Sequence, residues 1–84
     1  MEQDILDGRE ASLRVKKYFE EVHGVFRVVA FDVEDVSYDE NEQAWTIVCN
    51  FFDGLLAAYK IRYKVKVDAK DGRILDVKQL ELKK

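Results

Sequence analysis

Residues 59–68, YKIRYKVKVD, alternate between apolar and charged side chains from end to end. Successive side chains of a β-strand project to opposite faces of the sheet. This period of two therefore predicts a strand with one face on a core and the other face in water. The residues predicted to face the core are Tyr59, Ile61, Tyr63, Val65 and Val67, and those predicted to face water are Lys60, Arg62, Lys64 and Lys66.

Residues 7–24 carry the signals of an amphipathic helix. Asp7 is a good N-cap residue with Glu10 three positions later, and Gly24 can take the left-handed conformation that commonly ends a helix. Leu13 lies off the apolar stripe. The stripe predicted to face the core consists of Ala11, Val15, Tyr18, Phe19 and Val22.

Three further strands follow from the same alternation. In the first, from Val25, the period places Val29, Phe31 and Val33 on one face, and a shift of one residue afterwards predicts a β-bulge near Glu34-Asp35. Residues 44–52 form the second strand, and residues 73–82 return from a turn at 68–72 to pair with the strand at 59–68. The sequence thus predicts an α+β fold, α-β-β-β-β, with one N-terminal helix packed on a four-stranded antiparallel meander.

The pairing of the second strand with the third has two alternatives. A tight turn at 53–54 would put the apolar stripe of the second strand on the lysine-rich face, and the stripe would then be an oligomer interface. A longer loop through residues 55–57 changes the register by one and returns the stripe to the core. We favour the longer loop, because an exposed stripe of this kind promotes aggregation. The stripe consists of Trp45, Ile47, Cys49 and Phe51.

Length and composition indicate one small globular domain over residues 1–84, with residues 1–6 expected to be flexible. Charged residues make up 37% of the chain and the net charge is −3, which disfavours polyphosphate partners. Without a long apolar run or a basic leader, we expect no membrane association and a cytoplasmic location. The single cysteine, Cys49, fits a core position better than a reactive site.

Catalytic groups are sparse. The one histidine, His23, stands at a predicted helix end, and no serine has a base nearby in the sequence. The acidic residues between 32 and 42 are scattered over two strand faces, which does not suit a metal site. We therefore expect neither enzymatic activity nor a cofactor or metal.

Three binding hypotheses remain. Protein contact, with a partner or a second copy of the chain, would use the apolar positions that the core leaves spare, Leu13, Leu55 and Leu56. Single-stranded nucleic acid would use Lys60, Arg62, Lys64 and Lys66, although a solvated face neutralised by Asp32, Glu34 and Asp76 is the simpler interpretation. A small-ligand carrier would have a pocket between helix and sheet lined by Tyr18, Trp45 and Tyr63.

The last predicted hairpin, YKVKVDAKDGRILDVKQL at residues 63–80, resembles the closing hairpin of PepSY modules. In both, a strand that begins with an aromatic residue ends in Asp and turns through a short glycine-containing loop. The layout of the helix, the strand at Trp45 and the strand at Tyr59 is also similar to the gas vesicle accessory protein O family. PepSY modules bind and restrain peptidases, so the resemblance implies a non-catalytic, partner-binding role.

Overall fold

A computed structural model describes residues 6–81 and contains one helix and one sheet. Helix α1 (Gly8–His23) precedes strands β1 (Val28–Asp39), β2 (Ala44–Asp53), β3 (Ile61–Asp68) and β4 (Ile74–Leu80). The strands pair antiparallel in the order β1-β2-β3-β4, and α1 packs on one face over β1, β2 and β3. The predicted α-β-β-β-β arrangement is confirmed. We call the face away from α1 the open face.

Helix α1 begins and ends where its capping residues predict. The Asp7 side chain accepts a hydrogen bond of 2.8 Å from the Glu10 N–H, and Gly24 ends the helix at φ +105°. Ala11, Val15 and Phe19 are buried, as predicted.

Val22 was wrongly predicted to face the core, because it is 60% exposed. The helix contacts the sheet through every fourth residue, Ala11, Val15 and Phe19. Each step of four residues turns the side-chain direction by about 40° around the helix axis. At the last turn this row reaches His23, whose ring lies 5.4 Å from the Phe51 ring, and Val22 points away from it.

The favoured register between β2 and β3 is confirmed. Pairs run from Ala44 with Asp68 to Phe51 with Ile61, so the apolar stripe of β2 faces α1. Because directly opposed residues share a face, this register also sends the side chains of Arg62, Lys64 and Lys66 to the open face. The buried cluster comprises Ala11, Val15, Phe19, Ile47, Cys49, Phe51, Val65 and Val67.

Tyr59 and Lys60 were wrongly assigned to β3, which begins at Ile61, and Tyr59 was also wrongly assigned to the core. In the observed register Tyr59 would stand opposite Asp53, but the ladder stops at Phe51 and Ile61, and Tyr59 is 70% exposed. The chain leaves the sheet there because residues 54–60 form the connecting loop.

Strand β1 bends around the helix through two register shifts. One lies between Val33 and Asp35, where a bulge was predicted, and a second lies between Val29 and Asp32. At the second shift Ala30 has φ +56°, a conformation that non-glycine residues adopt infrequently. Twelve residues of β1 therefore oppose ten of β2. The extra residue places Val28 on the core with Phe31 and Val33, whereas the alternation predicted that Val29 would share their face.

The hairpin of β3 and β4 has Lys66 opposite Asp76 and Val65 opposite Val77, one of the two registers expected. A register shift after Lys66 leaves Leu75 unpaired and 46% exposed.

The described part of the chain starts at Leu6 and ends at Glu81. Residues 1–5 and Leu82 lie outside the described residues, so most of the predicted flexible start and the predicted end of β4 fall there. Leu6 itself is held in place: its N–H donates to the Ala69 carbonyl, and its carbonyl accepts from Trp45 Nε1, both at 2.7 Å. Between residues 6 and 81 no helix is both long and apolar enough to cross a membrane.

Candidate interaction surface

Two turns meet at the end of the molecule where α1 finishes and β2 ends. In the first turn, the Arg27 N–H donates to the Gly24 carbonyl at 2.9 Å. In the second, Gly54 has φ +98°, and its N–H donates to the Arg27 carbonyl at 2.7 Å. Glycine suits this position because the left-handed conformation strains other residues. The bond from Gly54 fixes residues 54–57 beside residues 24–27.

An ion cluster holds the same corner together. The Asp53 carboxylate lies 3.0 Å from Arg27 Nε and 3.7 Å from His23 Nδ1, and the latter contact is an ion pair when the imidazole is protonated. These contacts connect the end of the helix, the first turn and the end of β2. The Arg27 side chain is nevertheless 59% exposed, so its outer guanidinium nitrogens face water.

Large apolar side chains project from both turns. Phe26 is 90% exposed, Leu55 84% and Leu56 99%. They line an open depression of about 430 Å³ together with Arg27, Asp53, Gly54 and Ala57. Single exposed apolar side chains are common on proteins, but several that converge on one depression are typical of an interaction site. We call Phe26, Leu55 and Leu56, with Arg27 beside them, the tip surface.

The structure brings two of the three predicted contact residues together. Leu55 and Leu56 share the tip surface, whereas Leu13 stands on α1 ten residues before His23, about 15 Å away along the helix, and is 53% exposed. Phe26 was missed by sequence reasoning. It follows the helix-ending Gly24 and fits neither the helical nor the strand period, which is the signal that could have marked it as exposed.

The basic row on β3 is partly neutralised. Arg62 donates to the Glu34 carboxylate at 2.7 and 3.0 Å, and Lys66 Nζ lies 2.8 Å from Glu42. The hydrogen bond to Glu34 raises the pKa of Arg62, and that to Glu42 raises the pKa of Lys66. Glu34 was among the carboxylates predicted to neutralise this row and Glu42 was not.

The other two basic residues have different surroundings. Lys60 Nζ lies over the Phe52 ring, 5.4 Å from its centre. Lys64 stands opposite Lys78 of β4 on the open face.

The residues proposed to line a ligand pocket do not converge. Tyr18 and Tyr63 both contact Phe19, with ring centres 5.1 and 4.6 Å away from it. Trp45 instead packs on Tyr38 at the far end of β2, four residues from the partner of Tyr63, about 13 Å along the strand.

Cys49 lies within the core and is not exposed. Burial, with a smaller contribution from the Glu34 charge, raises the pKa of Cys49 to about 12, so its thiol is a poor nucleophile at neutral pH. Within residues 6–81, no group of three or more His, Cys, Asp or Glu side chains is placed to hold a metal ion.

Comparison of the chain with models of protein families, with characterised proteins and with solved structures finds no match. The resemblance to PepSY modules and to the gas vesicle accessory protein O family therefore stays a prediction.

Proposed function

We propose that this protein is a small, non-enzymatic interaction module that binds a partner protein through the tip surface. The observation that carries the proposal is the exposure of Phe26, Leu55 and Leu56 around one depression. The fold does not need these side chains, because the core lies between α1 and the sheet. The role agrees with the one implied by the PepSY resemblance.

The chemistry of the tip surface favours a particular kind of partner. The apolar side chains would accept apolar anchors, and burying each is worth about 1.5–3 kcal/mol before the costs of association. Beside them Arg27 uses Nε to bind Asp53, and its remaining N–H groups have no hydrogen bond within residues 6–81. We expect a partner segment in which apolar side chains stand next to a carboxylate, since Arg can donate to a carboxylate through two nitrogens.

A comparison of three proteins tests the proposal: the wild type, Leu55→Asp/Leu56→Asp, and Leu13→Asp as a matched control on α1. Each is immobilised and exposed to extract from the source cells, after circular dichroism has verified its fold. The expected result is a protein retained by the wild type and by Leu13→Asp and lost with the double variant, because two carboxylates in the tip surface would be costly to bury. Identical retention by all three would remove the tip surface as the binding site.

The location of the protein is also part of the proposal. We expect it to act in the cytoplasm, because a free buried cysteine and a densely charged surface suit that compartment. Fractionation of the source cells checks this, and recovery of the protein outside the cytoplasmic fraction would contradict it.

A further inference from the structure

Strand β4 leaves one edge of the sheet open. It is the last strand in the order β1-β2-β3-β4, so among residues 6–81 only β3 pairs with it. Helix α1 lies over β1, β2 and β3, so β4 is less covered than the other strands: Ile74 and Val77 are only half-buried against the core, and Leu75 is 46% exposed. An edge of this kind is a template for another strand.

The opposite edge, β1, is a poorer template. Its two register shifts and the positive φ of Ala30 bend the strand, and bulges of this kind disfavour edge pairing. Strand β4, in contrast, pairs regularly from Leu80 to Asp76. Any added strand would therefore fit β4 better than β1.

On β4, Val77 lies between two residues of opposite charge. Asp76 and Lys78 flank it and both point to the open face, where they oppose Lys66 and Lys64. Lys66 already pairs with Glu42, and the described part of the chain gives Lys78 no ion pair. Within residues 6–81 neither Lys64 nor Lys78 has an ion pair with a carboxylate, and like charges directly opposite each other are unfavourable.

We propose that two copies of this chain pair through β4, antiparallel, about a two-fold axis at Val77. In this register Asp76 of each copy faces Lys78 of the other, and the two Val77 side chains face each other. Each Lys78 thereby gains a carboxylate partner that residues 6–81 of its own chain do not supply. The product is a continuous eight-stranded sheet with both helices on one face, since the axis is perpendicular to the sheet.

The charges of Asp76 and Lys78 favour this register over the registers that differ from it by one or two residues. An axis at Asp76 would oppose two carboxylates, and an axis at Lys78 would oppose two ammonium groups. A shift of one residue would place Val77 opposite a charged side chain. A single edge strand buries less than the roughly 800 Å² per partner of a standard interface, so we expect weak, concentration-dependent dimers.

Sedimentation equilibrium up to about 1 mM protein tests the proposal, since this range covers weak dimers. We expect the wild type and Leu55→Asp/Leu56→Asp to dimerise alike, which separates this interface from the tip surface. Asp76→Lys alone and Lys78→Asp alone should weaken dimerisation at least tenfold, because each opposes like charges across the axis. Asp35→Lys, on the open face of β1, is the matched charge control and should dimerise as the wild type does.

Mixing the two single variants is the decisive step. Asp76→Lys presents two lysines and Lys78→Asp two aspartates, so a one-to-one mixture should form heterodimers although each variant alone dimerises at least tenfold more weakly than the wild type. No change within one chain can produce that result. A monomeric wild type at about 1 mM, or a mixture that stays monomeric, would overturn the proposal.

Isotope-filtered nuclear magnetic resonance provides a readout that needs no variant. In a mixture of labelled and unlabelled wild-type chains, we expect contacts between copies to be confined to residues 74–80. Their absence under dimerising conditions, or their appearance at the tip surface instead, would overturn the proposal even if a charge variant failed to fold.

Discussion

Replacing Phe51 with alanine should destabilise the protein far more than the same change at its neighbour, Phe52. Phe51 is fully buried, and its ring lies 5.1 Å from that of Phe19 and 5.8 Å from that of Tyr63. Phe52 is half-buried on the open face, beneath the ammonium group of Lys60. The two residues differ mainly in the sheet face on which they lie.

The expected magnitudes follow from burial. Burying about 150–250 Å² of a phenylalanine side chain at about 25 cal/mol per Å² is worth ~4–6 kcal/mol, and measured Phe→Ala losses in cores are about 3–5 kcal/mol. For 84 residues the total free energy of unfolding should be about 4–13 kcal/mol, so Phe51→Ala removes a large share of it. Phe52→Ala should cost about 1–2 kcal/mol.

Urea unfolding followed by fluorescence of the single tryptophan, Trp45, measures both changes. Trp45 is a suitable reporter because its Nε1 donates to the Leu6 carbonyl at 2.7 Å, a contact that unfolding breaks, and it lies at the far end of β2 from Phe51. Equal losses for the two variants, or a larger loss for Phe52→Ala, would refute the register between β2 and β3. The alternative register exchanges the two faces of β2.

Three further predictions concern Cys49, Asp68 and the basic residues of β3. Cys49 should react with a thiol reagent at pH 8 at least ~1,000-fold more slowly in the folded protein than in urea, because a pKa of about 12 leaves little thiolate; rapid labelling would contradict its burial. Hydrogen bonds from the backbone N–H of Lys70 and Asp71 lower the pKa of Asp68 from its usual value. The stabilising effect of its charge is therefore present above the usual pKa and is lost as the pH falls through the lower pKa of the folded protein. Asp68→Asn should therefore be less stable than the wild type at pH 7, and the gap should close in acid; a gap independent of pH in urea unfolding would argue against this. A fluorescent single-stranded oligonucleotide should not bind measurably at 150 mM salt, since Arg62 and Lys66 are paired with carboxylates; tight, steeply salt-dependent binding would revive the nucleic-acid hypothesis.

The helix and the ladder registers were predictable because local rules act strongly there. The side chain of Asp7 could cap only a helix that starts at Gly8, and the structure has that bond. The β2 and β3 pairing followed from one physical requirement, that the stripe containing Trp45 and Phe51 leave water. The helix cap joins residues close in sequence, and the strand register follows from the strict alternation of apolar and polar side chains.

The rest depended on contacts that no period encodes. Nothing about Ala30 marks it as a residue with positive φ, so the second bulge of β1 and the core position of Val28 were missed. The pair between Glu42 and Lys66 requires the turn after β1 to lie over β3. Phe26 joined Leu55 and Leu56 only because Gly54 bonds to the backbone of Arg27, which connects segments 27 residues apart.

The central claim is that the apolar side chains of the tip surface, Phe26, Leu55 and Leu56, are available to a partner because they contribute little to the stability of the fold. The most direct measurement is the free energy of unfolding of Phe26→Ser/Leu55→Ser/Leu56→Ser, by urea titration at pH 7, against the wild type. Side chains that are 84–99% exposed predict a change within about 1 kcal/mol. A loss of about 3 kcal/mol or more would mean that these residues are packed in the folded protein, and would contradict the account.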